Sequence, residues 1–186
     1  KQSMKNSLHT IFGTGPLGRS VMDECLHKGY RVRMINRTGK ADVPKEVEVL
    51  QADVFSGINV SASAEGSAVV YQCVNPPYDQ WPEQFPPMQT NILEAAARTG
   101  ASLVIGENVY MYGDTNGNPM TEDLPYNTAT RKGKVRAQMA LDALKAHRDG
   151  KLKVSGSISE KITEDKVTFD ATDGDNSSMI FDVDTP

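Results

Sequence analysis

Leu8-His9-Thr10-Ile11-Phe12-Gly13-Thr14-Gly15-Pro16-Leu17-Gly18 is a short apolar run that breaks into glycines. A run of this length bounded by glycine reads as a buried strand. Pro16 suits the first turn of a helix, where a missing N–H is no loss. Leu17, Val21, Met22, Cys25 and Leu26 then fall on one helical face, and Gly29 stands where a C-terminal cap glycine belongs. Outward from this strand–turn–helix unit, Tyr30–Ile35 and Val47–Leu50 read as strands, and Ser67–Val74 as a fourth, rich in Val and Ala as a buried parallel strand is. A proline-rich link, Pro76–Pro87, leads to a helix over Met88–Arg98 that ends at Gly100. Leu103-Val104-Ile105 is a fifth strand, followed by a loop holding Gly113, Gly117, Pro119 and Pro125. A helix from Thr130 to His147 precedes a sixth strand that starts over Lys151–Val154. Strands alternating with helices in this way specify an α/β fold with right-handed crossovers and a doubly wound parallel sheet.

Within that frame the glycines have a chemistry. Gly13-Thr14-Gly15-Pro16-Leu17-Gly18 is G-x-G-x-x-G placed between a strand and a helix, the fingerprint of a Rossmann-type dinucleotide site. The first glycine permits the tight turn, the second lets the backbone approach a pyrophosphate, and the third lets helix and strand pack closely. The helix start then offers N–H groups and the positive end of its dipole to phosphate. NAD sites commonly carry Asp or Glu at the end of the second strand to accept from the ribose hydroxyls. Here that place reads Asn36-Arg37, with Lys40 close by. A carboxylate repels a 2′-phosphate, whereas a guanidinium grips it with two hydrogen bonds, so NADP is expected over NAD. The competing reading of Arg37 is a solvated loop arginine.

Charge divides the chain near residue 155. Ser155–Pro186 carries two lysines against eight carboxylates, while the preceding residues carry 18 basic side chains against 16 acidic ones. A near-neutral body with an acidic tail argues against a nucleic-acid binder. We therefore divide the chain into a Rossmann domain over residues 5–154 and an appendage over residues 155–186. In the appendage, Lys166–Ala171 and Met179–Val183 alternate apolar and polar around Asp173-Gly174-Asp175-Asn176, a hairpin signal. Asp170, Asp173 and Asp175 lack the spacing of a calcium loop and read as a solvated turn. No apolar run reaches the length of a membrane span. Lys1–Lys5 is not followed by the apolar stretch of a signal peptide, and Met4 reads as a natural start. Cys25 and Cys73 sit in apolar patterns and read as buried free thiols, which places the chain in a reducing, cytoplasmic compartment. Cys73 has no His or cationic neighbour to make it reactive. These cysteines and three scattered histidines form no metal site.

From about Leu8 to Val154 the chain resembles the extended short-chain dehydrogenase/reductases, the NAD(P)-dependent epimerase/dehydratase group. The resemblance rests on the glycine loop, on Ala52-Asp53-Val54, on Thr90-Asn91-Ile92-Leu93-Glu94-Ala95-Ala96, on Val109-Tyr110-Met111-Tyr112-Gly113 followed by Thr121-Glu122-Asp123, and on Lys134-Val135-Arg136-Ala137-Gln138. It implies that Asp53 meets the adenine and Val54 lines its pocket. It also implies that Cys73-Val74-Asn75 passes under the cofactor, and that Lys134 binds the nicotinamide ribose. A small-molecule substrate and a homodimer built on the helices around residues 88–98 and 130–147 are further implications.

The departures are specific. The family's acid/base tyrosine stands four residues before its lysine, where this chain has Thr130; in a register from Lys132 the position is Thr128. The family's active-site Ser or Thr is replaced by Asn108. A threonine hydroxyl is a poor proton donor at neutral pH, so Lys134, Asn108 and Thr130 are the catalytic candidates by position alone. Asn108 remains able to orient a carbonyl, and Tyr110 or Tyr126 to supply a displaced phenol, against a packing role for either. Arg131, Lys132, Lys134 and Arg136 otherwise read as a solvated basic helix face. Trp81, Tyr78 and Phe85 in the proline-rich link either border the substrate side or cap the core. Family members continue for about a hundred residues past the sixth strand, so the resemblance implies a substrate pocket that is incomplete within one chain. The activity expected is that of an oxidoreductase or epimerase acting on a small carbonyl, alcohol or sugar nucleotide, the alternative being a non-catalytic NADP-binding regulator.

Overall fold

The computed structural model describes residues 6–121, 124–156, 166–170 and 178–182. Lys1–Lys5, Glu122 and Asp123, and the turn Asp173-Gly174-Asp175-Asn176 lie outside the described residues.

Six strands, β1 (Leu8–Phe12), β2 (Arg31–Asn36), β3 (Glu48–Gln51), β4 (Ser67–Gln72), β5 (Ser102–Ile105) and β6 (Val154–Gly156), form one sheet in the order β3-β2-β1-β4-β5-β6. Every pairing is parallel, with Phe12 opposite both Ile35 and Gln72, and Gln72 opposite Ile105. This is the Rossmann order, and the strand sequence reverses between β1 and β4, where ligands of such sheets bind. Four helices accompany it: α1 (Pro16–His27), α2 (Val60–Ser63), α3 (Trp81–Thr99) and α4 (Arg131–Arg148). A separate antiparallel pair joins β7 (Lys166–Asp170) to β8 (Ser178–Asp182). No described helix is long and apolar enough to cross a membrane.

The alternation of side chains along each strand divides the core in two. Ile11, Val32, Met34, Tyr71 and Val104 pack with Val21, Met22 and Cys25 of α1. Phe12, Ile35, Val70, Leu103 and Ile105 pack on the other face with Phe85, Met88, Ile92, Ala95 and Ala96 of α3 and Met139 and Ala143 of α4. Burying a large apolar side chain contributes roughly 1.5–3 kcal/mol, so these two layers hold the sheet between its helices.

Three elements differ from the sequence expectation. α3 begins at Trp81, inside the segment read as a proline-rich link, and runs through Pro86 and Pro87. Two interior prolines remove helix hydrogen bonds, but Trp81, Phe85, Met88 and Ile92 recur at helical spacing and are buried, and that burial decides the conformation. The sixth strand starts only at Val154, the last residue of the Lys151–Val154 stretch, and runs to Gly156 in register with Leu103–Ile105. The short α2 carries too little periodicity to be read from the sequence.

Candidate functional site

The glycine loop connects β1 to α1 at the reversal point of the sheet. Gly13 has a φ of +118°, open to glycine, and a Cβ there would stand 2.7 Å from the Cys73 carbonyl oxygen. Its N–H bonds the Ile35 carbonyl at 3.0 Å. At Gly18 a Cβ would collide with the Gly13 carbonyl oxygen and stand 3.3 Å from the Ile11 side chain. Gly15 is different: nothing lies within 4 Å of the place its Cβ would take. Gly15 is the extended N-cap of α1, makes no side-chain cap bond, and is followed by Pro16. The Leu17 and Gly18 N–H groups therefore face off the helix end, and the first turn holds no acidic residue. Two glycines are filled by close packing and the one between them opens on a helix terminus suited to phosphate.

The loop after β2 is tied to this cradle. Asn36 Nδ2 donates to Thr14 Oγ1 at 3.2 Å and to the Lys40 carbonyl at 2.8 Å. Asn36 Oδ1 accepts from the Thr38 N–H and hydroxyl and from the Gly39 N–H. Arg19 adds a second tie, donating through Nε to the Thr14 carbonyl and through Nη1 to the Asp42 carbonyl. Asn36 is thus a turn-holding residue whose amide is committed to the loop. Arg37 and Lys40 are exposed, and the Arg37 guanidinium lies 5.8 Å from the Phe55 ring centroid.

Past β3, the Asp53 carboxylate accepts from the Phe55 N–H at 3.0 Å and the Ser56 hydroxyl at 2.9 Å. Val54, expected to line an adenine pocket, puts its side chain in the α3-side core, while Asn91 of α3 anchors its carbonyl at 2.8 Å. Val74 is half-buried and Asn75 exposed, and the end of β4 touches the glycine loop through Cys73 and Val74. Gly13, Gly15, Pro16, Gly18, Asn36 and the Cys73–Asn75 segment therefore converge on one place. Leu17 packs its side chain against the α1-side core and offers only its backbone.

The catalytic candidates occupy another part of the sheet edge, after β5. Asn108 Oδ1 caps the 3-10 turn Val109–Met111, accepting from the Tyr110 N–H at 3.1 Å; its Nδ2 is the group left to meet a ligand. Thr130 is the N-cap of α4, and its Oγ1 accepts from the Gly133 N–H at 3.0 Å. Its hydroxyl thus serves the helix. Lys134 is exposed one turn into α4. Arg136, grouped by sequence with a solvated basic face, is 1% exposed and needs correction. It shares the buried stripe of Gly133, Ala137, Ala140 and Ala143, and donates to Glu107 Oε2 at 2.5 Å and to the Gly106 carbonyl at 3.2 Å. Its guanidinium lies 4.7 Å from the Phe85 ring centroid.

Glu107 was not legible as a site residue. It follows β5 directly and its burial pushes its carboxyl pKa up, against the opposing pull of Arg136 and of the Asn108 backbone. Tyr126 is pushed up as well, by burial and by the Glu107 charge, and its ring packs edge-on to Tyr112. Tyr110 contacts Trp81, which in turn meets Tyr78 and Phe85. Lys132 places its ammonium 2.9 Å from the Tyr78 ring centroid. Trp81 is buried and caps the core, whereas Tyr78 is exposed beyond the end of β4. The signal that reveals Arg136 is the i, i+3, i+4 spacing of small residues around it; the signal for Glu107 is only its place after a strand.

No protein-family model matches this chain, and no curated protein matches it. Solved structures do. A UDP-galactose 4-epimerase superposes with a TM-score of 0.69 at 20% identity, over 80% of this chain and 54% of its own. The UDP-glucose 4-epimerase of Thermus thermophilus, solved with NAD, gives 0.68 at 18% identity over 80% and 53%. The uronate dehydrogenase of Agrobacterium tumefaciens gives 0.68 at 19% identity over 81% and 59%. The chain spans about half the length of these structures, and what it shares with them is the Rossmann-type fold. That group is also the one its sequence motifs resemble.

Proposed function

We propose that this chain binds NADP in preference to NAD and serves an oxidoreductase or epimerase acting on a small carbonyl, alcohol or sugar-nucleotide substrate. The observation that carries the reading is the glycine cradle: Gly13 and Gly18 are closed by backbone and side chains, and Gly15 opens on an uncapped helix start. This is the shape a pyrophosphate fits, and two of the structural relatives were solved with NAD, which supports a dinucleotide there while the preference for NADP rests on Arg37 and Lys40 alone. Bound there, the dinucleotide supplies hydride chemistry. Gly13, Gly15, Pro16, Leu17 and Gly18 hold its phosphates, Arg37 and Lys40 the 2′-phosphate, and Asp53 with the Val54 backbone the adenine side. Val74 and Asn75 underlie it, and Lys134 approaches the nicotinamide ribose. Asn108 Nδ2 orients a substrate carbonyl.

Calorimetric titration with NADPH and NADH, repeated on Arg37→Ala, tests the reading. NADPH should bind more tightly, and the variant should lose one to two orders of magnitude for NADPH alone, since a charged hydrogen-bonding partner contributes about 1.5–3 kcal/mol. Absence of binding by either dinucleotide overturns it. The capping role of the Thr130 hydroxyl favours a second reading, an NADP-binding regulator without turnover. Depletion of NADPH by any member of a panel of aldehydes, ketones and oxidised sugar nucleotides decides against that second reading.

A further inference from the structure

We infer that Phe55 is a positioning residue for Arg37, and that this pair sets the choice between a phosphorylated and an unphosphorylated adenosine ribose. The inference rests on the cofactor reading above and extends it to the residue that makes Arg37 selective.

The loop between β2 and β3 leaves few donors for a phosphate. Asn36 Oδ1 takes the Thr38 N–H at 3.0 Å and the Gly39 N–H at 2.7 Å. Those backbone groups are consumed within the turn, so charge recognition falls to the side chains of Arg37 and Lys40. The Arg37 backbone is fixed, because Gln51 Nε2 donates to its carbonyl at 2.9 Å and Gly39 packs against the Gln51 side chain. What remains is the long side chain, which is exposed and as a free arginine samples many rotamers.

Phe55 restricts it. The ring stands 5.8 Å from Arg37 Cζ and is itself anchored: its N–H bonds Asp53 Oδ1 at 3.0 Å and its side chain packs on the α3-side core. A ring face attracts a guanidinium electrostatically and takes none of its N–H edges. A carboxylate in the same place would occupy those edges and neutralise the charge. Phe55 thus holds Arg37 near the ribose while its fork of donors stays available to a 2′-phosphate.

The test is calorimetry with NADPH and NADH on the unaltered chain, Phe55→Leu, Phe55→Tyr, Arg37→Ala and the double variant Arg37→Ala/Phe55→Leu, each first checked for an unchanged melting temperature. Phe55→Leu should lose about three- to fivefold in NADPH affinity, the size of an exposed cation–π contact, with NADH unchanged. Phe55→Tyr should keep the NADPH affinity, and Phe55→Leu should have no further effect once Arg37 is alanine. Should Phe55→Leu melt early, Phe55→Met replaces it. Equal losses for NADPH and NADH would make Phe55 a wall of the adenine pocket and overturn the inference, as would an undiminished loss in the Arg37→Ala background. Failure of the unaltered chain to bind either dinucleotide overturns the cofactor reading instead.

Discussion

Gly15 and Gly18 are one turn apart and answer to different forces. Gly18 is forced by packing, since any Cβ meets the Gly13 carbonyl oxygen. Gly15 is not: its φ of −77° suits any residue and the space beside it is open. Gly18→Ala should therefore destabilise the fold by roughly 1–3 kcal/mol, as overpacking does. Gly15→Ala should leave stability within about 0.5 kcal/mol and still weaken NADPH binding, because the methyl group occupies the ground the pyrophosphate needs. Melting curves and titrations on the two variants separate the cases, and a Gly15→Ala chain with full affinity would remove the pyrophosphate from this loop. A second residue-scale effect concerns pH. Burial pushes the Cys25 thiol up to about 12, with its Tyr71 bond pulling weakly the other way, against about 8.5 when unfolded. The folded chain favours the neutral thiol, so this contribution is complete below about pH 8.5 and is lost as pH rises toward 12. Cys73 and Tyr71 are raised by burial in the same direction. Melting temperature should fall steeply above about pH 9, and less steeply in Cys25→Ala; equal slopes would remove the thiol as a cause.

Between elements, the Glu107–Arg136 pair joins the end of β5 to α4. Removing one partner from a buried pair leaves an uncompensated charge and costs about 3–5 kcal/mol, whereas replacing both by apolar groups of similar size is often neutral. Glu107→Ala should therefore lower stability in urea unfolding by that amount, and Glu107→Leu with Arg136→Met should recover most of it. A double variant no more stable than the single one would mean that the pair is held for Asn108 and the turn after β5 rather than for its own charge. The elements themselves were unevenly legible. β1, β4 and β5 announce themselves as short, largely apolar runs, β2 by the alternation of Val32 and Met34 with arginines, and α1 because glycine and proline bound it. The start of α3 was hidden because proline reads as a breaker, while the spacing of Trp81, Phe85, Met88 and Ile92 that overrides it extends into the prolines. The turn at Gly13 and the close packing at Gly18 could be read because each of these two glycines has a steric reason. Arg136 and Glu107 could not, because a charge in a sequence looks solvated until the element opposite is known, and Phe55 and Arg37 become neighbours only when β2 and β3 pair.

At the scale of the molecule, α3 and α4 cover the same face of the sheet, and the outer side of α4 presents Leu141 and Leu144, 48% and 38% exposed. Single exposed leucines are ordinary. Two at a spacing of three on one helix form the stripe through which helices pack. The other large exposed apolar residues described, Ile58, Tyr78 and Met120, belong to other segments than α4. The glycine cradle lies at the carboxyl ends of the strands, so a second copy seated on α4 leaves the dinucleotide site open. We therefore expect a homodimer through α4 whose mass, by light scattering, is twice that of the chain. Burying a leucine contributes roughly 1.5–3 kcal/mol, and each copy contributes two. Leu141→Glu with Leu144→Glu should accordingly shift dissociation by several orders of magnitude and give monomers. Both positions are exposed in the single chain, so melting temperature at low concentration and NADPH affinity should hold. A monomeric mass for the unaltered chain would refute the dimer. Loss of NADPH binding together with the dimer would place the partner's surface beside the cofactor and join two sites that the single chain keeps apart.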